Sequence, residues 1–279
     1  MTGLCNMTGG RIRHELRGSA DLDSRGHRLM VHSAVVFSFG ADVVHLHMPV
    51  NYHGLSIPFV DFGGGVTSDS LFAPKEAEIF RFYRENKDRY RRALDIGANI
   101  GVHTCLMLRQ GWHVRAFEPD DGHNRVMEQV INDNAILGPL VSCYVVAVSD
   151  HDGTETFVRV KGNTTGSHLK GDKNPYGELE EFEVRVVDCR PLITWADFCK
   201  MDCEGHEARI LLTVTPEQKC EFMVEVGNQN NADAIYNHFA GKRGMWAQQS
   251  GWKPVLKLSD VPSHHSEGAL FIGWEAPFG

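Results

Sequence analysis

The sequence predicts an α/β fold built on a mainly parallel sheet, and three observations carry that reading. From residue 92 onward short apolar runs alternate with helical patterns, a glycine turn follows the first run, and a carboxylate closes the second. Residues 1–73 read as a β-rich N-terminal extension and residues 74–279 as the main domain.

Residues 1–27 are polar and glycine-rich and read as a loose lead-in. Runs at 29–31, 34–39, 43–46 and 57–60, punctuated by Gly40, Pro49, Gly54 and Pro58, predict a small antiparallel unit. Pro74 suits the first turn of a helix that runs to about Arg91. Strands are then expected at 92–96, 113–117 and 141–148, with helices at 101–110 and 123–134 between them. Residues 154–160 and 182–187 predict two strands around a polar connection, Lys161 to Gly177. A connection of that length inside a compact domain suits a lid or an acceptor clamp. Strand 197–202, helix 207–213, strand 222–226, helix 231–240 and two closing strands at 252–258 and 269–274 complete the pattern.

Composition narrows the function. The net charge of -8 argues against a phosphate-dominated partner, so no nucleic acid is expected. Arg81, Arg84, Arg91 and Arg92 read as a solvated helix face. No apolar run reaches the length of a membrane span, and the first ten residues lack the pattern of a secretory signal. Seven scattered cysteines without a C-x-x-C pair read as reduced core residues, and a cytoplasmic location is expected. His45 and His47 alternate on one strand face without a third ligand, and His264 and His265 read as a solvated loop pair.

The most informative segment is Leu94-Asp95-Ile96-Gly97-Ala98-Asn99-Ile100-Gly101. Glycine in a turn after a strand lets the backbone come close to a ligand, and ligands sit at the carboxyl ends of strands in open α/β sheets. The spacing is not the G-x-G-x-x-G of a dinucleotide site, nor is there a G-x-x-x-x-G-K-[ST] phosphate loop. Phe117-Glu118-Pro119 places a second carboxylate at a strand end, 23 residues after Asp95. A carboxylate there can accept both hydroxyls of a ribose, so a cofactor bearing a nucleoside is favoured.

These residues, with Asp197-Phe198-Cys199-Lys200-Met201-Asp202-Cys203-Glu204-Gly205-His206-Glu207, Ala147-Val148-Ser149-Asp150 and Val224-Glu225-Val226, resemble the FkbM family of methyltransferases across 93–226. The resemblance implies the seven-stranded, Rossmann-like methyltransferase sheet with an antiparallel last strand, and S-adenosylmethionine as cofactor. It places Gly97, Ala98, Asn99 and Gly101 along the methionine part, Glu118 with Pro119 at the ribose, and Ala147 or Ser149 towards the adenine. Asp95 and Asp202 complete the implied cofactor set. The implied activity is O-methylation of a sugar or natural-product hydroxyl, with N-methylation and a non-catalytic binding module as alternatives.

Methyl transfer needs two reactants held in line, and a hydroxyl acceptor must also lose its proton. Asp202, Glu204, His206 and Glu225 are the candidates for that chemistry: Asp202 and Glu225 end neighbouring strands, and histidine is the residue type whose unperturbed range lies near neutrality. His206 could equally be a helix-start residue facing solvent, a charge or helix-cap role is the lesser alternative for Glu204 and Glu225, and Glu207 suits its helix N-terminus. Asp202, Glu204, Glu225 and Asn228 also form an oxygen-rich set that would suit Mg²⁺. The acceptor is expected to be a small molecule or saccharide.

Overall fold

The computed structural model describes residues 34–39, 42–47, 50–52, 54–134, 140–174, 176–215 and 217–278. The chain forms two compact units, residues 1–60 and 61–279. In the first, strands Ala34–Phe39 and Asp42–His47 pair antiparallel, as do Val50–Tyr52 and Leu55–Ile57. The side chains of His45 and His47 lie outside the described residues.

The second unit is organised by an eight-stranded sheet. Its strands are β1 (Arg92–Ile96), β2 (His113–Phe117), β3 (Val141–Tyr144), β4 (Phe198–Met201), β5 (Glu221–Glu225), β6 (Gly244–Gln249), β7 (Gly251–Pro254) and β8 (Ala269–Gly273). Their order is β7-β6-β8-β5-β4-β1-β2-β3. The five strands from β5 to β3 are mutually parallel, and β8 runs antiparallel between β5 and β6. Without the short edge strand β7 this is the expected seven-stranded sheet with one reversed strand. All four residues of β4 and four of the five in β1 are buried, as strands covered on both faces require.

The helices are α1 (Pro74–Glu85), α2 (Val102–Leu108), α3 (Asp121–Asp133), α4 (Cys189–Trp195), α5 (Glu207–Leu211) and α6 (Gln229–Phe239). Pro74 opens α1, and Asp120 caps α3 by accepting from Gly122 N at 2.8 Å. Phe82 and Tyr83 of α1 pack on Phe198, and Phe82 also meets Phe271 at a ring separation of 5.3 Å. That aromatic layer fixes α1 across β4 and β8, which sets the residues at its N-terminus beside the strand ends.

Several sequence expectations differ from the structure: α1 ends at Glu85, so Arg91 and Arg92 are not on its face, and the strand expected at 252–258 is Gly251–Pro254. The single strand expected at 141–148 is broken: Val141–Tyr144 belongs to the main sheet, while Ala147–Ser149 pairs in parallel with Leu179–Asp188 in a separate four-stranded sheet. Helix α4 stands where the sequence suggested no element; Asp188 caps it by accepting from Arg190 N at 2.9 Å. Strand β6 also went unseen, because its apolar stretch ends in two glutamines. Gln248 is nonetheless buried, since it donates to Lys75 O and accepts from Ala269 N.

Residues 161–177 are not structureless. They carry a 3-10 turn, Thr164–Gly166, and a short strand, His168–Leu169, that pairs with Gly153–Val160.

Candidate active site

The strand order reverses beside β1, where the chain passes outward to β2 and β3 and later returns as β4. The crevice at such a point is the natural ligand site of an open α/β sheet. Here it opens into a cavity of about 460 Å³, within the range that holds small molecules and cofactors.

The floor is the turn after β1. Gly97 has φ 74° and Gly101 φ 81°, and both are sterically obligatory. A Cβ on Gly97 would collide with the carbonyl oxygen of Asp202, and one on Gly101 with the Met127 side chain. Asn99 also takes a left-handed φ of 51°. Its backbone N donates to Glu118 Oε2 at 2.9 Å, which ties the first strand's turn to the second strand's carboxylate. Glu118 Oε1 accepts from Asp120 N at 2.9 Å. Burial pushes the Glu118 carboxyl up to about 7, against the pull of those two N–H groups.

Gly97, Ala98, Asn99, Glu118, Pro119 and Ala147 line the cavity. Ser149 does not: it is fully buried and bonds His206 Nε2 at 3.1 Å. Gly101 stands one step back against Met127. Asp95 is also set beneath the cavity, fully buried, with Oδ2 accepting from Thr104 Oγ1 at 2.6 Å. It braces the turn from below instead of facing a ligand.

The other half of the cavity is charged. Lys200, buried in β4, donates to Gly97 O at 3.2 Å and lies 3.6 Å from both Asp95 Oδ1 and Asp202 Oδ2. Burial works against its charge, but Asp202, Asp95, Glu76 and Glu225 outweigh that and hold its pKa above the ordinary lysine value. The register pairs Met201 with Val224, so Asp202 and Glu225 emerge side by side. Burial first, and repulsion by Asp202 second, raise the Glu225 carboxyl to about 8, although Lys75 lies 3.5 Å away.

From α1, Glu76 approaches His103 Nε2 at 3.4 Å, and His103 Nδ1 meets Tyr83 Oη at 2.9 Å. Burial opposes the charge of Glu76, but His103, Lys75 and Lys200 prevail and lower its pKa.

The turn 203–205 is shaped from behind. Fully buried Glu207 accepts from Cys203 N at 3.0 Å, from Gly205 N, and from Asn231 Nδ2 at 2.9 Å. It organises the loop as well as opening α5, and burial raises its pKa. His206 is not a solvent-facing helix-start residue: it is buried, and its Nδ1 meets Asp172 Oδ2 at 2.9 Å while Nε2 meets Ser149. Glu204, at φ 57°, pairs with Lys173. Both partners come from residues 161–177, so His206 and Glu204 anchor that segment over the cavity.

The oxygen-rich set considered for Mg²⁺ does not gather. Asn228 caps α6 by accepting from Asn231 N at 2.9 Å, Glu204 faces Lys173, and Glu225 faces Lys75. Among the described residues no group of three or more His, Cys, Asp or Glu is placed to hold a metal ion.

A model of the methyltransferase FkbM domain matches residues 95–240, more than half of the chain. The chain belongs to the FkbM methyltransferase family. No curated protein matches this FkbM chain. Among solved structures, methyltransferase FkbM from Methylobacillus flagellatus KT is 12% identical over 65% of this chain and 43% of its own, with a TM-score of 0.42. The chain thus spans less than half of that relative. A SAM-dependent methyltransferase from Agrobacterium tumefaciens is 11% identical over 87% of this chain and 74% of its own, with a TM-score of 0.46. Human methyltransferase 10 domain containing protein is 13% identical over 80% and 90%, with a TM-score of 0.41.

The cavity-lining residues that sequence reasoning passed over are Lys75, Glu76, His103, His168 and Lys200. Lys200 carried a signal: it is a lone cation inside the apolar run Phe198-Cys199-Lys200-Met201, followed at once by Asp202. Lys75 and Glu76 carried none, because only the tertiary position of α1 brings them to the strand ends.

Proposed function

We propose that this FkbM-family chain transfers the methyl group of S-adenosylmethionine to a hydroxyl of a sugar or natural product. When bound, the cofactor supplies an electrophilic methyl group on a sulfonium. The residues present suit it: the backbone turn from Gly97 to Asn99 on the cavity floor, a buried carboxylate for a ribose, an apolar end beside Ala147 and a carboxylate-rich end beside Asp202.

The observation that carries the hydroxyl reading is the Asp202–Glu225 pair. A hydroxyl acceptor must lose its proton as the new bond forms, and a carboxylate lifted to about 8 is a far stronger base than an ordinary glutamate. Glu225 is the proposed base, raised by burial first and by Asp202 second, with Lys75 as the cation that steadies its charged form. Lys200 holds Asp95, Asp202 and the Gly97 carbonyl in register. His206 and Glu204 fix the 161–177 segment, which we read as an acceptor clamp. Among the described residues no helix is long and apolar enough to cross a membrane. We read the location as cytoplasmic, and the six described cysteines are all free.

The test is transfer of labelled methyl from S-adenosylmethionine to a panel of saccharides, polyphenols and amines, with the product's methylated atom identified. O-methyl product supports the proposal. N-methyl product alone would overturn the acceptor assignment, and tight cofactor binding without any transfer would favour a binding module.

A further inference from the structure

Two segments outside the main sheet contribute to the cavity wall. Val66 and Leu71 line it from the stretch before α1, and Asn163 and Thr164 line it from the 161–177 segment. Residues Asp61–Gly63 and Val66–Thr67 pair as an antiparallel hairpin, with Gly63-Gly64-Gly65 at its tip. All three glycines take a left-handed φ, of 90°, 60° and 82°. The tip rests on the other segment: a Cβ on Gly63 or on Gly64 would lie 2.7 Å from the carbonyl oxygen of Gly162. A Cβ on Gly65 would meet nothing within 4 Å. Turn geometry accounts for Gly65, whereas Gly63 and Gly64 are also required by the approach to Gly162.

The hairpin is anchored beside that contact. Phe62 is 2% exposed and meets the His123 ring edge-on at 5.5 Å. His123 Nε2 in turn lies 3.0 Å from Thr164 Oγ1, so one histidine touches both segments. His123 belongs to α3, whose cap residue Asp120 donates from its backbone N to Glu118 and accepts from Arg159 Nε at 2.6 Å. The two segments therefore meet at the Glu118 end of the cavity. Phe62 brings a buried ring to the junction, but the tip brings only glycine backbone. Contacts that bury little apolar surface open at the lowest cost, so the tip can part from Gly162 while Phe62 stays seated.

We propose that the 61–67 hairpin is a latch on the 161–177 segment, and that release of Gly63 and Gly64 from Gly162 sets how fast the cofactor enters and leaves the cavity. What passes the latch rests on the cofactor reading above; the latch itself rests on the glycine contact.

The experiment compares Gly64→Ala with Gly65→Ala. Both place alanine at a left-handed φ, so both carry the same kind of backbone strain, but only the first puts a methyl group against Gly162. Amide hydrogen exchange at residues 161–169 is expected to quicken about fivefold or more in Gly64→Ala and to stay within about twofold of wild type in Gly65→Ala. Stopped-flow dissociation of S-adenosylhomocysteine is expected to quicken about tenfold in Gly64→Ala alone. Equal behaviour of the two variants overturns the latch, since strain would then explain both. Wild type gives the same answer without a variant: S-adenosylhomocysteine should slow exchange at 62–66 and at 161–166 together, and protection of 161–166 alone overturns the latch. A wild type that binds no S-adenosylhomocysteine overturns the cofactor reading instead, and exchange in the two variants then decides the latch by itself.

Discussion

The carbonyl oxygen of Asp202 occupies the space that a side chain on Gly97 would need. The turn after β1 and the end of β4 are therefore in backbone contact, and the groove between the two central strands has no room for a methyl group at that point. Gly97→Ala is expected to combine this overlap with an unfavourable φ of 74°. The cost is about 3 kcal/mol or more, read as a lower urea midpoint. An unchanged midpoint would show that the two segments separate easily.

The rate of methyl transfer is expected to rise with pH and level off above about 8, because Glu225 takes a proton only when ionised. Glu225→Gln should lower kcat by about 100-fold and abolish that rising limb, while leaving cofactor affinity within a few-fold. A variant that keeps the limb would assign the proton to another group.

Glu118 makes stability fall with pH. Its folded-state pKa of about 7 is above the ordinary 4.5, so the folded state holds the proton more tightly than the unfolded chain. Its contribution is fully present below 4.5 and is lost as pH rises through about 7. Glu118→Gln should flatten that part of the stability profile in denaturant titrations at pH 4.5 to 8, and an unaltered slope would place the effect elsewhere.

Segment 161–177 is held by Asp172 on His206 and Lys173 on Glu204. Asp172→Ala with Lys173→Ala should raise its cleavage by a protease several-fold, and S-adenosylhomocysteine should protect the wild type there. Equal cleavage in both proteins, with and without ligand, would remove the clamp reading.

Much of this architecture was legible in the sequence because local chemistry and tertiary placement agree. Leu94 to Gly101 reads as strand, turn and helix, and Phe117-Glu118-Pro119 as a strand end, from residue types alone. The misreadings arise where tertiary partners override local pattern. Gln248 sits in a buried strand because Lys75 and Ala269 satisfy its amide, and residues 145–146 break a strand that apolar content would continue. In the site, His206 looked free to titrate because Ser149 and Asp172 are 57 and 34 residues away in the chain. Lys75 and Glu76 were invisible for the same reason, since nothing near them in sequence announces β4 and β5.

The most direct test is calorimetric titration of S-adenosylhomocysteine into folded wild type and Glu118→Ala. One site per chain is expected, weakened at least about tenfold when the carboxylate that would hold the ribose is removed. No binding to folded wild type, or equal affinity in the variant, would contradict a cofactor gripped between the Gly97 turn and Glu118.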